Sequence, residues 1–535
     1  MTSIPDTFQR LSRSGLKTTP TEFQALLEPV VRAGNRDEIL AILDWGHLSE
    51  SNRFLARNGL TEPWMTFLEQ ALTRFRYSFD DLFRQRVSRY GEKPFLQTLA
   101  GSRVTSYSFA DVFRRVRLVS RCLVKLETGD RPTVVGLLTP NCPEGVWVDL
   151  ACLRSGIQVV PIPINVSPSQ LEFILHHACI TDVFVGGQAT LSLLKEIRLS
   201  SPPRWIRLPS LRQLPFPSRS WEEFLGDPGR EEFSAHPVDP EFATILYTSG
   251  TTAHPKGIVF SLTALLIKRF ARALALPRIS SEDHFLAYLP LYHTFGRYFE
   301  LMGALFWGAT YTFAESTSFK TLLQEFPLVR PTIFISIPKR WVQLYEQVRN
   351  NCSFEKDSAD TIRRCIRQLT GGKLTWGLSA AGYLDPDIFE FFQRHGLQLL
   401  SGYGMTEATG GIFMTPPEDY LRHSVGKPLP GLEAELAADG ELKIRGPYVC
   451  RYYHGSPPEE MRRKGWFYTG DIFQRKQGHY FIVDRKKEIY KNSRGQTIAP
   501  QKIENLFQDF EPIRRVFLVG DGREFNTLLI YPNPE

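Results

Sequence analysis

At 535 residues the chain exceeds one ordinary domain and suggests about two to four. A hydrophobic fraction of 42% beside 23% charged residues excludes the disordered and fibrous classes. The net charge of +7 is spread along the chain, and its densest basic stretches, MRRKG near 461 and DRKKEIYK from 484, are short, have acids nearby and read as solvated faces. No nucleic-acid partner is expected. The seven cysteines show no CxxC and no regular spacing, which fits reduced thiols in a cytoplasmic compartment. MTSIPDTFQRLSRSG lacks the apolar core of a signal peptide. The longest apolar stretch, LMGALFWGATYTF after Glu300, is broken by two glycines and too short to span a bilayer, so membrane contact is expected to be peripheral at most.

In chain order, FQALLEPVVRAG, RDEILAILDWG and WMTFLEQALTRFR carry apolar residues at helical spacing, which predicts a helical N-terminal module over 1–75. From residue 76 short apolar runs (TVVGLLT, QVVPIPI, DVFVGG, ATILYTS, TIFISIP, LQLLSGYG) alternate with amphipathic helices such as FADVFRRVRLVSRCLVKL. That alternation predicts an α/β fold, a large multi-layer domain with mostly parallel sheets. After about 430 shorter β-like pieces, ELKIRG and GHYFIVD, are joined by glycine turns. A large domain is expected over 76–476 and a partial small α+β domain over 477–535.

YTSGTTAHPKG, residues 247–257, follows one of the apolar runs. A Walker loop needs GxxxxGK and Ser or Thr; counting from Gly250, Pro255 stands at the second glycine and Gly257 follows Lys256. A dinucleotide fingerprint fails too, since GYGMTE at 402–407 puts Glu407 at the third glycine. What remains is a hydroxyl-rich segment whose backbone at Gly250 and hydroxyls of Thr248, Ser249, Thr251 and Thr252 can wrap an oligophosphate, with Lys256 as a point charge. A polar surface turn is the plain alternative. HHAC at 176–179 lies in an amphipathic run with no second ligand pair and reads as packing. HExxH is absent, and Gly377-Leu-Ser379-Ala-Ala lacks the closing glycine of a nucleophile elbow.

Taken together, YTSGTTAHPKG, LPLYHTFG, SGYGMTEATGG, SVGKPLPGLEAEL, GELKIRGPYVCRYY, GWFYTGDIF and DRKKEIYKNSRGQTIAPQKIE resemble, in order, the motifs of the AMP-forming adenylating enzymes. That superfamily includes acyl-CoA synthetases, luciferases and peptide-synthetase adenylation domains. LRSGIQVVPIP and LSAAGYL fit it upstream and midway, and DLFRQRVSRYGEKPFL, GATYTFAES and RPTIFISIPKRWVQLYEQV are closest to its fatty acyl-CoA synthetase branch.

The resemblance implies ATP-dependent activation of a carboxylic acid, expected to be a fatty acid, to acyl-AMP, with pyrophosphate release and then thioester formation with CoA. Thr248, Ser249, Gly250, Thr251, Thr252 and Lys256 would grip the β- and γ-phosphates. Glu407, with Thr251, would hold Mg²⁺, and Thr406 would reach the α-phosphate. Tyr403 would stack on adenine, Asp471 would accept from the ribose hydroxyls, and Arg485 would add a ribose or phosphate contact. His293 would face the acyl carboxylate. Alternatives are a nucleotide-binding pseudoenzyme and an acyl-AMP ligase that loads an acyl carrier protein.

Several positions depart from the family pattern: Ala253, Ala380 and Ala381 replace glycines, and Leu262 stands where histidine is frequent. A domain hinge is expected near Gln477-Gly478. The family's small domain continues past LLIYPNPE and carries near its end a lysine that neither Lys491 nor Lys502 replaces. The readings are a shortened chain, which is the expectation, a partner that supplies the remainder, or binding without efficient turnover.

Overall fold

The computed structural model describes residues 4–532 apart from 15–16, 127–131, 227–242, 249–254, 457–461, 494–496, 505–506 and 508–511. The N-terminal region forms helices Ile4–Ser14, Pro20–Ala33, Arg36–Gly46, Ser49–Arg57 and Thr61–Arg74. Thr19 and Glu22 open the second with reciprocal caps, and Gly34, at φ 70°, closes it. These helices share the larger of two apolar clusters with strands of both large sheets: Trp64 meets Phe270 of the helix Leu262–Ala275 edge-on at 6.2 Å. Burying one such aromatic stabilises by about 1.5–3 kcal/mol.

Two large sheets follow, and every run expected to be a strand upstream of 430 lies in one of them. The seven-stranded sheet runs Arg219–Ser220, Arg204–Arg207, Asp182–Val185, Val134–Leu138, Gln158–Pro161, Thr244–Thr248, Lys256–Phe260. Its pairs are parallel except the last, where Thr248 faces Lys256. The nine-stranded sheet includes Ile333–Ser336, Trp376–Ala380, Gln398–Met405 and Gly410–Met414; these pair in parallel until the chain turns back at Met405. The inner strands have no polar face because helices cover both sides, so they read as unbroken apolar runs.

Beyond residue 430, Glu433–Leu436, Glu441–Arg445, Trp466–Lys476 and His479–Arg485 build an antiparallel sheet. The expected hinge at Gln477-Gly478 is the two-residue turn between the last two strands. Both residues have positive φ (52° and 79°), the pairing a tight hairpin turn requires. Rotation there would break pairs within one sheet; the chain leaves that sheet only after Arg485. A small hairpin, Ile513–Val519 with Thr527–Pro532, lies beyond.

Candidate active site

The parallel strand Gln398–Met405 ends in a single 3₁₀ turn, Thr406–Ala408, and returns as Gly410–Met414. A Cβ on Gly404 would sit 2.4 Å from the Gly410 carbonyl oxygen, so the two strands close up only because position 404 lacks a side chain. This tight reversal carries Tyr403, Thr406 and Glu407.

Tyr403 donates its hydroxyl to Asp471 Oδ2 at 2.5 Å. Asp471 is in register with Arg485 on the neighbouring strand, whose Nε lies 3.7 Å from Oδ1. The irregular stretch Thr469–Asp471 of the strand Trp466–Lys476 is braced by Glu441, which accepts from the Gly470 amide at 3.0 Å and from Lys486 Nζ at 2.6 Å. Burial raises the pKa of Asp471, while the Tyr403 hydrogen bond and Arg485 pull the other way. Burial and the Asp471 charge together push the Tyr403 phenol well up.

The second cluster is built on Glu407. Tyr453 donates its hydroxyl to Glu407 Oε1 at 3.2 Å, and Lys256 Nζ lies 5.0 Å from the centre of the Tyr453 ring. Tyr453 is held there by backbone: it bridges Ile258, and the His454 amide donates to the Gly257 carbonyl at 2.7 Å. The Cys450 amide in turn donates to the Glu407 carbonyl at 2.7 Å. Burial raises the Glu407 carboxyl above its usual range; Tyr453 and Lys256 oppose this and Asp471 adds to it. Glu407 thus lies within electrostatic reach of both Lys256 and Asp471, and the two clusters form one cleft.

His293, an exposed residue, closes a turn by donating its amide to the Pro290 carbonyl at 3.1 Å, and its ring lies 4.8 Å from that of Tyr292. Desolvation by the surrounding wall lowers its pKa, which favours the neutral imidazole. The next residue, Thr294, packs on the reversal: a Cβ on Gly410 would lie 3.2 Å from its Oγ1. Thr248 ends its strand opposite Lys256. Ser249, Gly250, Thr251 and Thr252, together with Ala253, lie outside the described residues, so the phosphate segment is framed here by Thr248 and Lys256 alone. Ala381 keeps the left-handed backbone of a glycine (φ 64°) at a cost of about 1–2 kcal/mol. Leu262 is buried at the start of its helix. His177, from HHAC, stacks on Phe173 and bonds the Tyr247 hydroxyl at 2.8 Å, a packing role.

Sequence reasoning missed two participants. Tyr453 sits inside the quoted GPYVCRYY, where its aromatic neighbours masked it. Arg297, four residues after His293, is fully buried and grips both oxygens of Asp149 while donating to Thr244 Oγ1 at 2.9 Å. It ties the π-helix Phe295–Leu301 to the strand that leads into the phosphate segment. A lone arginine in an apolar run gives no signal of such a partner.

A glycine-tight reversal, a carboxylate held by a tyrosine and a second carboxylate near a lysine-bearing strand go with the fold of an adenylate-forming enzyme. Residues 83–454 match the profile of the AMP-binding enzyme family, and the chain belongs to that family. It is 31% identical over 460 residues to long chain acyl-CoA synthetase 7, peroxisomal, of Arabidopsis thaliana, covering 74% of this chain and 64% of that protein. It is 27% identical to human long-chain-fatty-acid–CoA ligase 6, covering 75% of this chain and 66% of that one. The chain thus spans about two thirds of the length of these curated relatives. Among solved structures, an anthranilate CoA ligase in complex with anthranoyl-AMP superposes with a TM-score of 0.72 at 21% identity over 86% of this chain and 87% of that one. The o-succinylbenzoate CoA synthetase of Bacillus subtilis, in complex with an acyl-adenylate, gives 0.70 at 20% identity over 85% and 88%.

Proposed function

We propose that the chain activates a fatty acid with ATP, forming acyl-AMP and releasing pyrophosphate, and passes the acyl group to CoA. The observation that carries this reading is the shared cleft of the Tyr403–Asp471 and Glu407–Tyr453–Lys256 clusters. The long-chain acyl-CoA synthetase names of the relatives support the substrate class.

A carboxylate is a poor electrophile, and its conversion to an adenylate is mostly positioning and charge neutralisation. Asp471, desolvated and backed by Arg485, accepts from the ribose; Tyr403 turns from Asp471 to the base. Lys256 draws the outer phosphates toward the strand ends. His293, neutral, offers a donor to the acyl carboxylate. The donor set fits Mg²⁺: Glu407 supplies one hard carboxylate oxygen beside the phosphates, the ligand pattern that small cation prefers. Bound there, the ion would neutralise developing phosphate charge, while Tyr453 fixes the Glu407 rotamer. Thr251 is the second ligand proposed.

The deciding assay is fatty-acid-dependent pyrophosphate release from Mg-ATP, with aryl and amino acids as controls and with CoA and a phosphopantetheine carrier protein offered as acceptors. Release driven by fatty acids, with transfer to CoA, is the expected outcome; release driven only by aryl or amino acids overturns the substrate class. A cytoplasmic location is proposed on the seven cysteines, none in a disulfide among the described residues. Because one relative is named peroxisomal, imaging of a tagged chain checks it.

A further inference from the structure

Two buried cations stand behind the turn that carries Glu407. Lys268 and Arg272 lie on the helix Leu262–Ala275, which starts directly after the strand Lys256–Phe260 and its capping Ser261. Four residues apart, they share one face of that helix. Lys268 is fully buried and Arg272 is 1% exposed. Among the described residues no carboxylate pairs with either. Burial, then Arg272 and Arg269, pull the Lys268 pKa well below the ordinary lysine range. On stability grounds alone an apolar side chain would suit this face better, because a buried cation without a counter-charge is costly.

What the two cations touch is backbone and aromatic rings. Lys268 Nζ donates to the Ala408 carbonyl at 3.2 Å and sits 4.0 Å from the centre of the Tyr448 ring. Arg272 donates to the Gly411 carbonyl at 3.4 Å and to the Tyr298 carbonyl at 3.3 Å, over the ring of Phe299. Ala408 closes the turn that carries Glu407, and Gly411 lies in the strand that leaves it. Between them Thr409 has φ 57°, the left-handed region that a non-glycine residue occupies only when its surroundings hold it there. Its amide donates to the Thr406 carbonyl at 3.0 Å and its hydroxyl to the Ala408 carbonyl at 2.6 Å. Tyr448, beside Lys268, is pinned through its hydroxyl to the Pro430 carbonyl at 2.8 Å. Two residues further on, the Cys450 amide holds the Glu407 carbonyl. Lys268 therefore contacts both pieces of backbone that fix Glu407, the turn itself and the segment 448–450.

We propose that Lys268, seconded by Arg272, is a positioning residue for Glu407: it clamps the Ala408 carbonyl beside Tyr448 and keeps the strained turn in one shape, with the Glu407 carboxylate preorganised for Mg-ATP. The inference rests on the metal role proposed above for Glu407. Because the helix that bears the clamp follows the strand that bears Lys256, one rigid element links the phosphate end of the site to its carboxylate.

Hydrogen exchange and Mg-ATP titration of Lys268→Met test this, with Arg269→Met as the control. Arg269 is the neighbouring buried cation, and none of its side-chain nitrogens has a hydrogen-bond partner among the described residues. In Lys268→Met the amides of Thr409 and Cys450 should exchange about tenfold faster while the rest of the chain keeps its protection. Mg-ATP affinity should fall about 10- to 100-fold, and pyrophosphate release should lose kcat with the fatty-acid KM unchanged. In a Glu407→Gln background the same change should add less than about twofold, since the two residues act as one unit. Arg269→Met should match the parent throughout. Should Lys268→Met not fold, Arg272→Met, which frees the Gly411 carbonyl, carries the same measurements. Parental exchange and affinity in Lys268→Met, an equal loss in Arg269→Met, full additivity with Glu407→Gln, or faster exchange across the whole chain each overturns the proposal. A parent chain that binds Mg-ATP but releases no pyrophosphate with fatty acids counts against the proposed function, and the exchange and affinity measurements still decide the clamp.

Discussion

Asp149, buried, and Glu407, partly buried, are acids furnished in opposite ways. Asp149 has both oxygens taken by Arg297, whose remaining donors reach Thr244 Oγ1 and the Tyr298 hydroxyl. Burial alone would lower the Arg297 pKa; the Asp149 charge outweighs it and drives it upward. Glu407 has one tyrosine hydroxyl and a lysine that stands over that tyrosine's ring, and burial keeps its carboxyl pKa raised. Asp471 follows Glu407, with a tyrosine at 2.5 Å and a mostly exposed arginine at 3.7 Å. A carboxylate meant to hold structure is given its full complement of donors. One meant to meet a ligand keeps capacity in reserve and bears the cost in the free protein.

The comparison can be broken from either side. Arg297→Leu orphans a buried carboxylate and should cost about 3–5 kcal/mol of stability, measured as a shift in denaturant midpoint. A loss below 1 kcal/mol would mean Asp149 has other support. Glu407→Gln should cut adenylation by roughly 10²–10³-fold. Its stability should change with the opposite sign: the penalty for burying the charged form is absent at acid pH and grows as pH rises through the raised native pKa. Melting scans should therefore show the variant gaining on the parent between pH 4 and pH 8; a loss at pH 8 would make Glu407 a structural acid. Asp471→Asn, which weakens a charge-assisted acceptor, should reduce ATP affinity about 10- to 100-fold in equilibrium titration. Ala381→Gly should stabilise by about 1 kcal/mol if the left-handed backbone is strained, and leave the fold unchanged. The smallest effect belongs to the surface: Arg422→Ala removes exposed pairs with Asp387 and Glu390 and should cost at most about 1 kcal/mol.

Much of this was legible in the chain. The apolar runs at 133–139, 158–164, 182–187 and 332–338 each contain a strand, because both faces of those strands are covered and no polar alternation interrupts them. Tyr403, Glu407 and Asp471 were identifiable from motif order and converge on one cleft. The hinge expected at 477–478 followed from the family resemblance; the register of the flanking strands, with Lys476 paired to His479, makes it instead a hairpin turn inside one sheet.

What the sequence determines by itself is local and periodic: strand runs, helix caps such as Thr19 with Glu22, and the spacing of hydroxyls, glycines and acids in the motifs. Tertiary structure decides the pairings that cross the chain. Asp149 and Arg297 are 148 residues apart, and Tyr403 and Asp471 are 68 apart. Such contacts are fixed by how helices and sheets pack, and packing depends on shape complementarity over distant segments, which leaves no periodic trace in either one.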